Sequence, residues 1–259
     1  MKHLLKISLL FLFIGISCTG FAQSEEDPNF EEIDTILNKV ILKKEISGGV
    51  MLYTRGFGFL FRKSFNENAF RKNVFELEVF GIKGDKQVRI NYYGSYFSNA
   101  RSYVFGKLNK VYNLRAGLGR QHRINSKPYW GGVEVRFAYY GGISIGIAKP
   151  IHLYIISQSN TNDYESKKYD PEKHFIENIY GRAPFIDGIQ ETKFYPGLYA
   201  KAGLIFDFGQ YKTSIKALEA GASIDGYPIP IPIMAFRDKH YYFLNFYINF
   251  TFGKRYNKF

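Results

Sequence analysis

The stretch Val133-Glu134-Val135-Arg136-Phe137-Ala138-Tyr139-Tyr140-Gly141-Gly142-Ile143-Ser144-Ile145-Gly146-Ile147-Ala148 decides the fold. Val133, Val135, Phe137, Tyr139, Ile143, Ile145 and Ile147 share one parity and are bulky and apolar. Glu134, Arg136, Ala138, Tyr140, Gly142, Ser144, Gly146 and Ala148 share the other and are mostly small, polar or charged. Such alternation marks a strand with two different surroundings, because successive side chains point to opposite faces. The run is far longer than the five or six residues typical of soluble domains. A water-covered face would be rich in Lys, Glu, Thr and Ser. Small residues with isolated charges suit a crowded interior instead, while an aromatic face suits hydrocarbon.

Other segments repeat this logic. Tyr242, Leu244, Phe246, Ile248, Phe250 and Phe252 oppose Asn245, Tyr247, Asn249, Thr251 and Gly253, and Leu198 to Phe208 alternates in the same way. The pattern predicts an all-β, transmembrane, antiparallel up-and-down β-barrel of eight strands, over residues 50–61, 70–82, 101–120, 132–148, 152–158, 197–208, 212–224 and 240–253. In the first of these, Tyr53, Arg55, Phe57, Phe59 and Phe61 are expected on one face. Connections 149–151 and 209–211 read as tight turns at the end that holds the termini; 62–69, 121–131, 159–196 and 225–239 read as long loops at the other end. Segment 83–100 breaks this rule, and an added hairpin there would make ten strands.

The chain has 259 residues, 46% hydrophobic and 18% aromatic, one cysteine and a formal net charge of +12. The apolar content excludes a disordered protein, and a single cysteine excludes a disulfide scaffold. Residues 1–22 read as a signal peptide: Lys2 and Lys6, an apolar run from Ile7 to Ile16, then small Gly20 and Ala22 before a cut at Gln23. Gly15 stands three residues before Cys18, where a lipidation signal has a Leu-like residue. Residues 23–47 form an acidic leader or short amphipathic helix, leaving 48–259 as the barrel.

The Phe21-Ala22-Gln23 region, the aromatic strands, and the blocks Tyr103-Val104-Phe105-Gly106-Lys107-Leu108-Asn109 and Gly253-Lys254-Arg255-Tyr256-Asn257 resemble the small outer-membrane barrels of the Bacteroidota. The resemblance covers most of the chain. It implies a fold and a location in the outer membrane of a Gram-negative bacterium, and it brings no catalytic residues.

Barrel enzymes that modify lipids use Ser and His. A tight 149–151 hairpin would set His152 four residues along the ladder from Ser144, roughly 13 Å at ~3.3 Å per residue, beyond proton-transfer reach. No catalytic residue, cofactor or metal site is therefore expected. The run Tyr169-Asp170-Pro171-Glu172-Lys173-His174 carries oxygen and imidazole groups but matches no metal-loop spacing, and Gly56-Phe57-Gly58 lacks a nucleotide fingerprint.

Alternation aims Glu76, Glu78, Arg115, Glu134, Arg136, Lys201, Asp207 and Glu219 into the lumen, where they should pair across strands. Two segments suggest a lid or contact surface: 159–196, with Ile179, Tyr180, Phe185 and Ile186, and 225–239, where Tyr227, Ile229 and Ile231 alternate with prolines. Basic residues including Arg120, His122, Arg123, Lys127, Lys167, Lys168 and Arg182 fall in or beside expected outer loops, which suits outer-membrane lipid and lipopolysaccharide rather than nucleic acid. The expected role is non-enzymatic, as a structural or accessory subunit of a cell-envelope assembly, with another envelope protein as a candidate partner through the two loops. A narrow pore for small polar solutes is the first alternative and a lipid-modifying enzyme the second.

Overall fold

The computed structural model describes residues 42–256, except 69, 85–86, 96–99, 128–131, 157–163, 210–212 and 237–239. The expected signal peptide, Cys18 and most of the acidic leader lie outside the described residues.

Eight antiparallel strands close into a barrel: β1 (Lys44–Tyr53), β2 (Gly56–Asn66), β3 (Arg71–Ile82), β4 (Asn109–Asn125), β5 (Glu134–Pro150), β6 (Lys193–Asp207), β7 (Ser214–Ile231) and β8 (His240–Tyr256). Each strand pairs with its sequence neighbour, and β1 closes on β8 from Lys44 opposite Tyr256 to Tyr53 opposite Tyr247. Closure pairs both edges of every barrel strand, so no barrel strand is left as a template for aggregation.

The expected count of eight holds, but two of its members change. The run 50–61 is two strands, broken at Thr54 and Arg55, where Thr54 accepts and donates hydrogen bonds with the Phe246 backbone. Side-chain parity reverses across that turn: Tyr53 faces in, while Phe57, Phe59 and Phe61 face out. The barrel begins at Lys44, four residues before the expected start. Segment 152–158 is not a wall strand. His152–Ile156 pairs instead with Tyr164–Lys168 and Ile179–Arg182 in a separate three-stranded sheet. At five residues it is too short to cross a bilayer, which takes about nine to eleven.

Splitting the first strand exchanges the ends of several connections. Both barrel termini share one end with the short connections 67–70, 126–133 and 208–213. The opposite end carries the two-residue turn at 54–55 and the connections 83–108, 151–192 and 232–239. Segment 83–100 thus joins the long loops, whereas Arg120, His122, Arg123 and Lys127 belong to the terminal end. The Pro-Ile strip expected within a loop extends β7 as far as Ile231.

Outside the barrel runs a belt of exposed apolar side chains, among them Leu118 at 71%, Leu198 at 67% and Phe246 at 65%. Inside, the layers alternate. Met51, Leu60, Phe80, Ile82, Val111, Tyr227, Ile231 and Phe243 pack beneath the long loops. An ionic layer follows, then a second apolar cluster with Val74, Tyr140, Tyr199 and Ile215. Inward tyrosines need space at the wall, and glycine provides it. A Cβ on Gly119 would lie 2.2 Å from the Tyr140 ring and 2.4 Å from the Tyr139 carbonyl oxygen.

Candidate functional site

Two features stand out: an ionic network in the lumen and a folded cap over the long-loop end.

The network draws on every strand. Arg115 of β4 is wholly buried. Its Nε donates to Asp225 Oδ1 at 2.8 Å and its Nη2 to Asp225 Oδ2 at 2.5 Å. Nη1 donates to Glu78 Oε2 at 2.9 Å and to the Tyr53 hydroxyl at 2.7 Å. The guanidinium lies over the Phe80 ring, 4.4 Å from its centroid. This bidentate geometry is the strong form of the charge-assisted hydrogen bond.

Arg62 of β2 plays the corresponding part lower in the barrel. It donates to Glu76 Oε2 at 2.6 Å and Glu219 Oε2 at 2.5 Å, with Tyr140 beneath it. Lys201 lies between, bonded to Glu78 Oε1, 3.2 Å from Glu76 Oε2 and 3.8 Å from Glu219 Oε1. The Tyr247 hydroxyl donates to Glu219 at 2.7 Å. Glu76, Glu78, Arg115, Asn113, Asp225 and Asn249 show no solvent exposure. A water-filled conduit would wet these groups, so the ionic layer closes the lumen where it lies.

Of the eight expected interior charges, Glu76, Glu78, Arg115, Lys201 and Glu219 meet in this layer. Glu134, Arg136 and Asp207 fall in a second cluster near the termini. There Arg136 pairs with Glu134, and Arg255 bridges Asp207 and Glu45. Lys72 reaches Glu45 at 2.6 Å, and Lys127 reaches Asp207 at 3.3 Å. A polar cavity of about 30 Å³ lies among these groups. Arg62, Asp225, Glu45 and Arg255 were not foreseen. Arg62, Asp225 and Arg255 lie one or two residues beyond expected strand ends, at positions that the continued alternation would have reached; Glu45 lies in the expected leader, and its inward parity shows only once the first strand is split at Thr54 and Arg55. Lys72 lay inside an expected strand and shares the parity of Glu76 and Glu78.

Ser144 and His152 are held apart by topology. Since His152 leaves the wall, its ladder partner is Lys168, and Ser144 instead lies opposite Arg115 and Gly197. The Ser144 hydroxyl meets the Tyr227 hydroxyl at 2.7 Å and Asn113 Oδ1 at 3.2 Å, while His152 Nε2 is 3.4 Å from Glu191. In the 169–174 loop the Asp170 amide donates to His174 Nδ1 at 3.0 Å, and burial lowers the pKa of that imidazole. The three described carboxylates and imidazoles of this loop form no metal cluster.

The cap joins three loops. Tyr103, Leu153, Ile155, Tyr169 and Ile179 form its core. Arg89–Ile90 pairs with Tyr103–Val104, and Lys107 bridges to Met234. Tyr164 stacks on Tyr180 with centroids 4.9 Å apart. The residues expected in a lid or contact surface divide. Ile179 is buried in the cap, and Tyr227 and Ile231 are buried beneath it. Tyr180 is half-buried. Phe185, Ile186 and Ile229 are exposed.

The sequence matches no protein-family model and no curated protein. Among solved structures, the chain is similar to Ail, the attachment invasion locus protein of Yersinia pestis, at 12% identity and a TM-score of 0.42, covering 83% of this chain and 98% of that one. The same protein in complex with the heparin analogue sucrose octasulfate gives 11% identity and a TM-score of 0.41 over the same shares.

Proposed function

We propose that this chain is a non-conducting, non-enzymatic outer-membrane protein of a Gram-negative bacterium, serving as a structural or accessory subunit of a cell-envelope assembly. One observation carries the reading: burial is inverted relative to a soluble barrel. Phe, Leu and Ile cover the outside, while Arg115, Glu76 and Glu78 are sealed within. Burying a large apolar side chain is worth about 1.5–3 kcal/mol, so a belt of this size is tolerable only against hydrocarbon. In this reading the termini and short connections face the periplasm, and the cap faces outward. Short periplasmic connections and longer outer loops are the usual arrangement of such barrels, which supports that orientation.

The outward loops meet outer-membrane lipid and lipopolysaccharide. Phe185, Ile186 and Ile229 offer an apolar surface to another envelope protein. The anchor role is favoured over a pore because the central charges are dry.

Membrane fractionation and gel migration of heated and unheated samples test the location. The barrel should require detergent for extraction and should migrate faster unheated; recovery in the aqueous fraction would sink the reading. Planar-bilayer recordings should show no steady conductance, and a stable open level would favour the narrow pore. Mass analysis of lipid A from cells with and without the protein should give identical acyl patterns; a gained or lost acyl chain would restore the lipid-modifying enzyme.

A further inference from the structure

A cavity of about 920 Å³ opens at the long-loop end, between the barrel wall and the cap. Its lining comes from the first residues of β2 and β4, the last of β3 and β5, and cap segments 101–104 and 182–185. The size is at the upper end for small-molecule pockets, which run to about 1,000 Å³, and has room for far more than a simple ion.

Two chemistries meet there. Seven Lys and Arg side chains contribute to the lining, among them Lys107, Lys110, Lys149 and Arg182, and the lining contains no Asp or Glu. None of these seven forms an ion pair with a described carboxylate. Lys107 Nζ donates to the Gln87 side-chain oxygen, a neutral acceptor, at 3.1 Å. Lys107 and Lys149 are nevertheless buried. Beside Gln87, Ser102 and His152, much of the remaining wall is apolar and continuous with the outer belt: Phe57, Phe59 and Val79 line it and are all exposed. Phe185 joins the halves, its ring centroid 4.2 Å from Lys149 Nζ and 5.2 Å from Lys110 Nζ.

Like charges gathered in a partly enclosed space repel, and a bound anion relieves them while leaving each one charged. A free phosphate would use the cations and leave the aromatic wall idle. An uncharged acyl chain would use the wall and leave the cations opposed. A molecule carrying both phosphate and acyl chains uses the whole cavity. We propose that this cavity binds a phosphorylated lipid of the surrounding leaflet, its phosphate held among Lys107, Lys110, Lys149 and Arg182 and an acyl chain lying along Phe57, Phe59 and Val79. This assignment rests on the reading that the outer belt faces lipid, and it adds a particular site to that reading.

Native mass spectrometry of the full chain in non-ionic detergent tests it with three probes: bisphosphorylated lipid A, the same lipid with its phosphates removed, and sodium phosphate. One phosphorylated lipid per chain should be retained, at least about tenfold more tightly than the dephosphorylated form, which corresponds to ~1.4 kcal/mol. Sodium phosphate should not displace it. K110Q/R182Q, which changes two exposed side chains, should weaken retention by about tenfold, while K216Q at the terminal end should not. F57A removes apolar wall without altering charge and should weaken it several-fold.

Equal retention of both lipids, full retention by K110Q/R182Q and F57A, or displacement by phosphate would each overturn the proposal. Heat-modifiable migration is read on the same samples. A protein that never requires detergent defeats the membrane reading itself; one that does, yet shows no phosphate selectivity, defeats only this site.

Discussion

The lumen and the cap cavity both gather cations, and they treat them in opposite ways. In the central lumen Arg62, Arg115 and Lys201 are matched by Glu76, Glu78, Glu219 and Asp225 at hydrogen-bonding or ion-pair distance. In the cavity the cations have no carboxylate in the lining. Charge that the chain neutralises itself is buried and fills the middle of the barrel. Charge that the chain leaves unmatched, at the edge of an apolar belt, is available to something else. On the proposed reading, the contrast divides into two groups the basic residues behind a net charge of +12.

The largest expected effect comes from removing one lumen cation. R115M leaves Asp225 buried without its bidentate partner and takes one of two cationic partners from Glu78, which keeps Lys201; breaking a buried pair from one side costs about 3–5 kcal/mol. The variant should refold into detergent poorly, with a denaturation midpoint well below that of the parent. K107Q removes a cation from the cavity, where it faces other cations, and should cost nothing measurable or stabilise slightly. Equal destabilisation by the two would erase the distinction between the regions.

A smaller loss is expected from G119V. The added side chain would meet the Tyr140 ring and the Tyr139 carbonyl, and Tyr140 lies beneath Arg62. Overpacking of this kind costs about 1–3 kcal/mol. A urea titration of the detergent-refolded barrel should show a lowered midpoint, with lipid retention at the cavity unchanged. A change in retention would mean that the two regions are coupled.

The sequence made the barrel legible because alternation is a direct record of two surroundings. The count of eight came out right through two errors that cancel: one segment read as a single strand is a hairpin, and one short cap strand was read as wall. The hairpin was hidden because aromatics continue through the turn at Thr54 and Arg55. The chemistry of the rings separates the two sides. Tyr53, with a hydroxyl that needs partners, turns inward to Glu78 and Arg115, while Phe57, Phe59 and Phe61 turn outward. Tyr140, Tyr199, Tyr227 and Tyr247 are likewise buried. The 152–158 segment could have been rejected on length alone. Arg62 and Asp225 were missed only because their strands were ended too early. The cavity was not legible at all, since it assembles cap and wall residues far apart in the chain.

The subtlest test uses pH, and it separates the regions through a single cap residue. Burial, with repulsion from Lys110, Lys83 and Arg89, lowers the pKa of Lys107 to about 8. Arg101, Lys149 and Arg182 are the other cations lining this cavity, and Gln87 offers Lys107 only a neutral acceptor. A bound phosphate favours the charged ammonium and raises its pKa again. Above about pH 8 the empty protein therefore holds Lys107 neutral while the complex holds it charged, so binding takes up a proton. Affinity for bisphosphorylated lipid A should be level just below pH 8 and fall several-fold by about pH 9.5, a range in which the phosphate stays ionised. The empty fold responds with the opposite sign. The unfolded chain keeps Lys107 protonated up to the ordinary value of 10.5, so between the two values it binds more protons and the folded form gains stability as pH rises. K107Q should flatten the affinity profile while leaving the lumen's contribution to stability intact. A parent profile with no decline above pH 8 would place the phosphate away from Lys107.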